Sequence, residues 1–161
     1  MYDDDSARKK YLAMEIPHIN NFLLDFRFSN PAIKPEIVID DNYKWIGIKN
    51  FPLPDEYSPD YMDIAIVIVD YPVHGPTGFY INSTSENISK VMLSMQHTSA
   101  PPFLSSPQIE LPGWSWVGFQ HYERQQWYFN HSDLMQGDNL ANYVKAVYEN
   151  LWSSDLQYRP D

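Results

Sequence analysis

Cysteine is absent from this chain of 161 residues. That excludes disulfides, cysteine-based zinc sites and any thiol nucleophile, and it fits a reducing compartment. Basic charge is scarce. Eleven Lys and Arg face 21 Asp and Glu, giving a formal net charge of −10 and a pI near 4.7. An acidic surface repels phosphate backbones, so no nucleic-acid partner is expected. Arg8-Lys9-Lys10 is the one basic cluster, too small to change that sign. Long apolar runs are missing too, none approaching the ~18 residues of a membrane span. The acidic N-terminal stretch does not read as a signal peptide, so no membrane association and a cytoplasmic location are expected. Five scattered histidines show no ligand spacing, so neither a metal nor a cofactor is expected. No internal repeat is visible.

What is present suffices for a core. Apolar residues make up 43% and aromatics 16%, well above disordered composition. A single domain over 1–161 follows from the length, with the core between about 16 and 152 and polar termini. Its centre is Met62 to Ile81. Ile64, Ile66 and Ile68 alternate with Ala65, Val67 and Val69 without a polar gap, which predicts a strand covered on both faces. The chain then turns through Tyr71-Pro72 and Pro76 and enters an aromatic strand at Gly78–Ile81.

Around that centre, Asp3-Asp4-Asp5-Ser6 caps a predicted short helix over Ala7–Met14. Pro17 suits the first turn of a second helix, in which Ile19, Phe22, Leu23 and Phe26 fall at helical spacing. Asn30-Pro31 ends it. Glu36–Asp40 and Tyr43–Phe51 read as strands joined by an Asp41-Asn42 hairpin turn. Four strands thus follow helical sequence at the spacing of an antiparallel meander. Asn82–Gly113 is a long Ser- and Pro-rich connection, of a length that is usually functional, with a short helix expected at Val91-Met92-Leu93. Gly113–Tyr122 is strand-like and Trp-rich. Leu140, Tyr143, Val144, Val147, Tyr148 and Leu151 lie three or four apart, the apolar stripe of a last helix capped by Gly137-Asp138-Asn139. A polar tail over Ser153–Asp161 is expected to fray.

This order resembles the ubiquitin-conjugating-enzyme fold. Tyr71-Pro72, Pro76 and Phe79 resemble that superfamily's Tyr-Pro-x-x-Pro-Pro motif, with Thr77 in place of its second proline. The chain is more similar to a bacterial branch encoded beside polyubiquitin-like genes. The shared pieces are Phe51-Pro52-Leu53-Pro54-Asp55-Glu56-Tyr57, the acidic-plus-apolar strand from Asp63, the Trp-rich stretch Trp114–His121, then Trp127 and Asp138-Asn139-Leu140. The resemblance implies an α+β ubiquitin-conjugating-like (UBC) fold, a four-strand antiparallel meander flanked by helices. It further implies a carrier or transferase for a ubiquitin-like protein, with that protein and a ubiquitin-activating-like enzyme as partners. Two features depart from it. The superfamily's His-Pro-Asn and its acyl-carrying cysteine are absent, and the branch's Trp-Ser-Arg-His reads here Phe119-Gln120-His121 after an earlier Ser115.

An acyl carrier needs a nucleophile, a base and an oxyanion donor. Without cysteine, serine could carry the acyl group as an oxyester, and its hydroxyl then needs a base within hydrogen-bond reach. Ser115 with His121 is the first pair. On an extended segment both point to the face of Val117 and Phe119, yet the strand between them spans about 20 Å, so the backbone must bend. Ser99 with His97 is the second pair, and His74 a further base. A structural imidazole at His121 and an ordinary loop serine at each position are the bland alternatives. At the level of function the alternatives are a non-catalytic binding module, or a chain whose native cysteine has been replaced.

Overall fold

The computed structural model describes residues 4–26, 28, 30–54, 56–92, 107–120 and 126–157. Helix α1 (Asp4–Leu24) leads into five strands, β1 (Glu36–Ile39), β2 (Trp45–Pro52), β3 (Tyr61–Val67), β4 (Gly78–Asn82) and β5 (Trp114–Gly118), and helix α2 (Leu140–Gln157) ends the chain. A helical turn at 88–92 and a 3-10 turn at Leu134–Gln136 sit between. The protein is α+β, its sheet antiparallel throughout in the order β1-β2-β3-β4-β5.

Two expectations are corrected here. The sheet has five strands, because Trp114–Gly118 pairs in register with β4, Gly78 opposite Gly118 and Asn82 opposite Trp114. The two expected N-terminal helices are one, α1, with Pro17 inside it. Proline removes one helical donor. Here its ring lies exposed, while Leu12, Ile19 and Leu23 on the other side are all buried. Burial of that stripe outweighs the missing bond. Two smaller differences follow. The first hairpin loop is wider than two residues, because the Asp40 carboxylate accepts the Lys44 N–H at 3.0 Å and Tyr43 takes φ 57°. The last helix runs on to Gln157, into the expected tail.

Alternation divides the sheet into two faces. Ile46, Ile48, Ile64, Ile66, Phe79, Ile81 and Val117 join the main core with both long helices. Ile64, Ile66, Ile68, Phe79, Val144, Val147 and Leu151, the core read from periodicity, are each at most 1% exposed. The opposite face carries Ala65, Val67 and Tyr80, with Trp45, Trp114 and Trp116 packed beside them. Strand β3 is therefore covered on both sides, as its unbroken apolar run predicts. A bulge in β2 between Ile48 and Phe51 places Asn50 at φ 57°, and its N–H donates to Asp63 Oδ1 at 2.9 Å.

Candidate functional site

Among the sequence-predicted site residues, the described structure contains Ser115 and His74. His121, His97 and Ser99 lie outside the described residues. Strand β5 holds Ser115 opposite Ile81, on the same face as Val117. One residue beyond β4, the Ser83 N–H donates to the Gly113 carbonyl at 3.0 Å, which brings the two serines together. Their hydroxyls share a hydrogen bond at 2.8 Å on the exposed end of the strand pair. Two hydroxyls cannot act as base for one another, since each is nearly fully protonated at neutral pH. Among the described residues, no imidazole or carboxylate bonds to Ser115. His74 is exposed on the Tyr-Pro turn, and its backbone N–H donates to the Asp70 carbonyl at 2.9 Å.

A second cluster, absent from the sequence-based set, forms around that turn. Glu15 on α1 is 1% exposed. Its Oε2 accepts the Leu140 N–H and its Oε1 the Ala141 N–H, both at 3.1 Å, and the Tyr71 hydroxyl donates to Oε2. The carboxylate therefore caps the N-terminus of α2, where orphan amides and the helix dipole favour an anion, and ties it to the turn. Burial pushes the Glu15 pKa up, partly offset by these three bonds. Burial, then the adjacent Glu15, push the Tyr71 phenol far above its ordinary value. Tyr11 packs edge-on against Phe129 and reaches His131 Nδ1 at 3.0 Å. Trp127 donates Nε1–H to the Pro72 carbonyl at 2.8 Å and lies over Gly75, where a Cβ would overlap the indole.

The sequence does carry a signal for Glu15. Arg8, Leu12, Glu15, Ile19 and Leu23 form one stripe at steps of four, three, four and four, but only when the helix continues through Pro17. Splitting the helix at Pro17 hides a carboxylate on the buried face.

A cleft of about 140 Å3 opens beside the turn, lined by Arg8 and residues 69–74. Small-molecule sites generally measure ~300–1,000 Å3, so this one admits a few waters or a small polar group. Every bond Glu15 makes uses it as an acceptor, inside a sealed core. Its chemistry is structural. Among the described residues no three His, Asp or Glu are grouped to hold a metal ion, and no helix is long and apolar enough to cross a membrane.

No family model, curated protein or solved structure matches this chain.

Proposed function

We propose that this chain is a ubiquitin-conjugating-like domain acting on a ubiquitin-like protein in a bacterial conjugation pathway. One observation carries the reading. An N-terminal helix precedes a sequential antiparallel meander, a Tyr71-Pro72 turn leads into its aromatic fourth strand, and a last helix starts against that turn through Glu15. The resemblance implies a helix, a four-strand meander with that turn and a last helix; the fifth strand and the Glu15 contact lie outside it, and the turn is anchored by Glu15 and Trp127. In the carrier form, a serine oxygen attacks the modifier's C-terminal carbonyl held by the activating enzyme. The oxyester C–O bond forms, the bond to the activating enzyme breaks, and the serine proton passes through a base to the leaving group. Ser115 is the first candidate for that oxygen and Ser99 the second, with His121 and His97 as bases.

A specific observation favours a second reading, the non-catalytic binding module. The Ser115 hydroxyl is hydrogen-bonded to the Ser83 hydroxyl, and no base touches it among the described residues. Mass spectrometry after incubation with the cognate activating enzyme, ATP and modifier separates the two. A carrier gains the modifier's mass through a bond that resists reductant and yields to mild hydroxide. Ser115→Ala or Ser99→Ala then abolishes the adduct, and His121→Ala slows its formation by about 10²–10⁴-fold. Binding without any adduct leaves the module. A hydroxide-stable adduct on lysine makes the chain a target of conjugation.

A further inference from the structure

Away from the Tyr-Pro cleft, a pocket of about 420 Å3 opens where α1 ends and the chain returns to β1. That volume falls within the ~300–1,000 Å3 of small-molecule sites. Its lining side chains are apolar with one exception. Leu23 is buried, Phe26, Phe28, Ile33 and Pro35 are half-buried, and Leu24 and Pro31 are exposed. The exception is Lys34, which is exposed. Asp25 and Glu36, beside lining residues in sequence, are exposed and take no part in the lining.

The walls are held from several directions. The Phe26 ring packs on Phe22 at 5.1 Å and on Tyr148 of α2 at 4.6 Å, and Phe28 meets Tyr61 of β3 edge-on at 6.1 Å. Asn30 closes a tight turn, its Oδ1 accepting the Ala32 N–H at 2.9 Å and its carbonyl the Ile33 N–H at 3.0 Å. Asn50, at the β2 bulge, donates Nδ2–H to the Lys34 carbonyl at 3.0 Å. The bulge thereby fixes one wall of the pocket.

These bonds also bear on what can enter. A peptide needs backbone partners, and this lining offers few. Pro31 and Pro35 have no N–H, the Phe26 and Ile33 N–H groups donate within the segment, and the Lys34 carbonyl is taken by Asn50. An aliphatic chain needs no such partners, since it gains by leaving water against the rings. An anionic head would meet the Lys34 ammonium, whose methylene stem adds to the apolar wall. That ammonium makes no ion pair among the described residues. We propose that this pocket binds an unbranched aliphatic carboxylate, its chain against Phe26, Phe28 and Ile33 and its head at Lys34. The site is independent of whether the chain carries an acyl group.

Isothermal titration calorimetry of the full chain with decanoate, below its micellar concentration, tests this. Decanoate should bind at one saturable site, on the order of tenfold tighter than octanoate, since each buried methylene contributes about fourfold. It should bind about two- to fivefold tighter than uncharged decanol, the range of an exposed ion pair. Lys34→Met keeps the stem and should remove that preference while leaving decanol affinity unchanged. Phe28→Ala, or Ile33→Ala if the first does not fold, should weaken both ligands about fivefold and keep the preference. Lys34→Met, at an exposed position, remains decisive if both apolar variants fail to fold. No saturable decanoate binding overturns the proposal, as does a preference that survives Lys34→Met or an affinity that a folded apolar variant leaves unchanged. Equal affinity for decanol and decanoate in wild type also overturns it, and would make the pocket an apolar contact for a partner's side chains.

Discussion

The two faces of the sheet solve the same problem differently. Under the helices, apolar side chains are sealed to within a few per cent of exposure, and even a carboxylate is accommodated because three donors converge on it. On the far side, three tryptophans remain half-buried beside residues 107–113, none of which is buried. Long helices bury a continuous stripe and can carry a polar anchor inside it. An irregular segment of seven residues covers the rings only in part. The deeper burial accordingly lies on the helix side.

The largest effect is expected at the polar anchor. Glu15→Ala strands three buried donors, two of them at the start of α2. At about 1–3 kcal/mol each, less the relief of burying a carboxylate, the net loss should be about 3–5 kcal/mol in urea denaturation. A loss under about 1 kcal/mol would mean that Glu15 does not hold α1, the turn and α2 together.

The faces can then be compared at adjacent residues of β3. Ile66→Ala, on the helix side, should cost about 2–5 kcal/mol. Val67→Ala, on the far side, loses two methyl groups at about 0.8 kcal/mol each under a half-buried cover that can settle into the void, so about 1–2 kcal/mol is expected. Equal losses in matched denaturation curves would erase the distinction between the faces.

A pH dependence follows from Glu15. Its pKa is raised in the fold, so the native state holds that proton more tightly than the unfolded chain does. The associated stabilisation is complete below the ordinary glutamate range and is lost as pH rises through the raised value. Unfolding free energy measured across that window should fall for wild type, and the fall should flatten in Glu15→Gln. A slope unchanged by the substitution would assign the titration elsewhere.

The smallest effect is expected at Ser115. Ser115→Ala removes one exposed hydroxyl bond, and its stability should stay within about 0.5 kcal/mol of wild type. A larger loss would place the serine pair in the scaffold and would complicate any reading of its loss of adduct.

Much of the fold was legible from local pattern. The strands at 36–39, 45–52, 61–67 and 78–82 follow runs of β-branched and aromatic residues, and the stripe from Leu140 to Leu151 names the buried face of α2. The candidate site was less legible. Ser115 lies on the face expected for it, but its partner is Ser83, 32 residues away, brought there by strand pairing. Glu15 was hidden by Pro17, since a proline ends many helices and only the packing of both halves shows that this one continues.

Sequence by itself determined the acidic surface, the absence of thiol chemistry, the alternation along β3 and the apolar stripe of the last helix. Each depends on composition or on neighbours within a few positions. Tertiary structure alone decided that Trp114–Gly118 joins the sheet, that one helix runs through Pro17, and that Glu15 meets Tyr71 and Leu140. It also laid residues 107–113 across the aromatic face. Those outcomes join residues 29 to 126 positions apart, and such contacts form only once burial of the whole core outweighs the entropy of closing the chain between them.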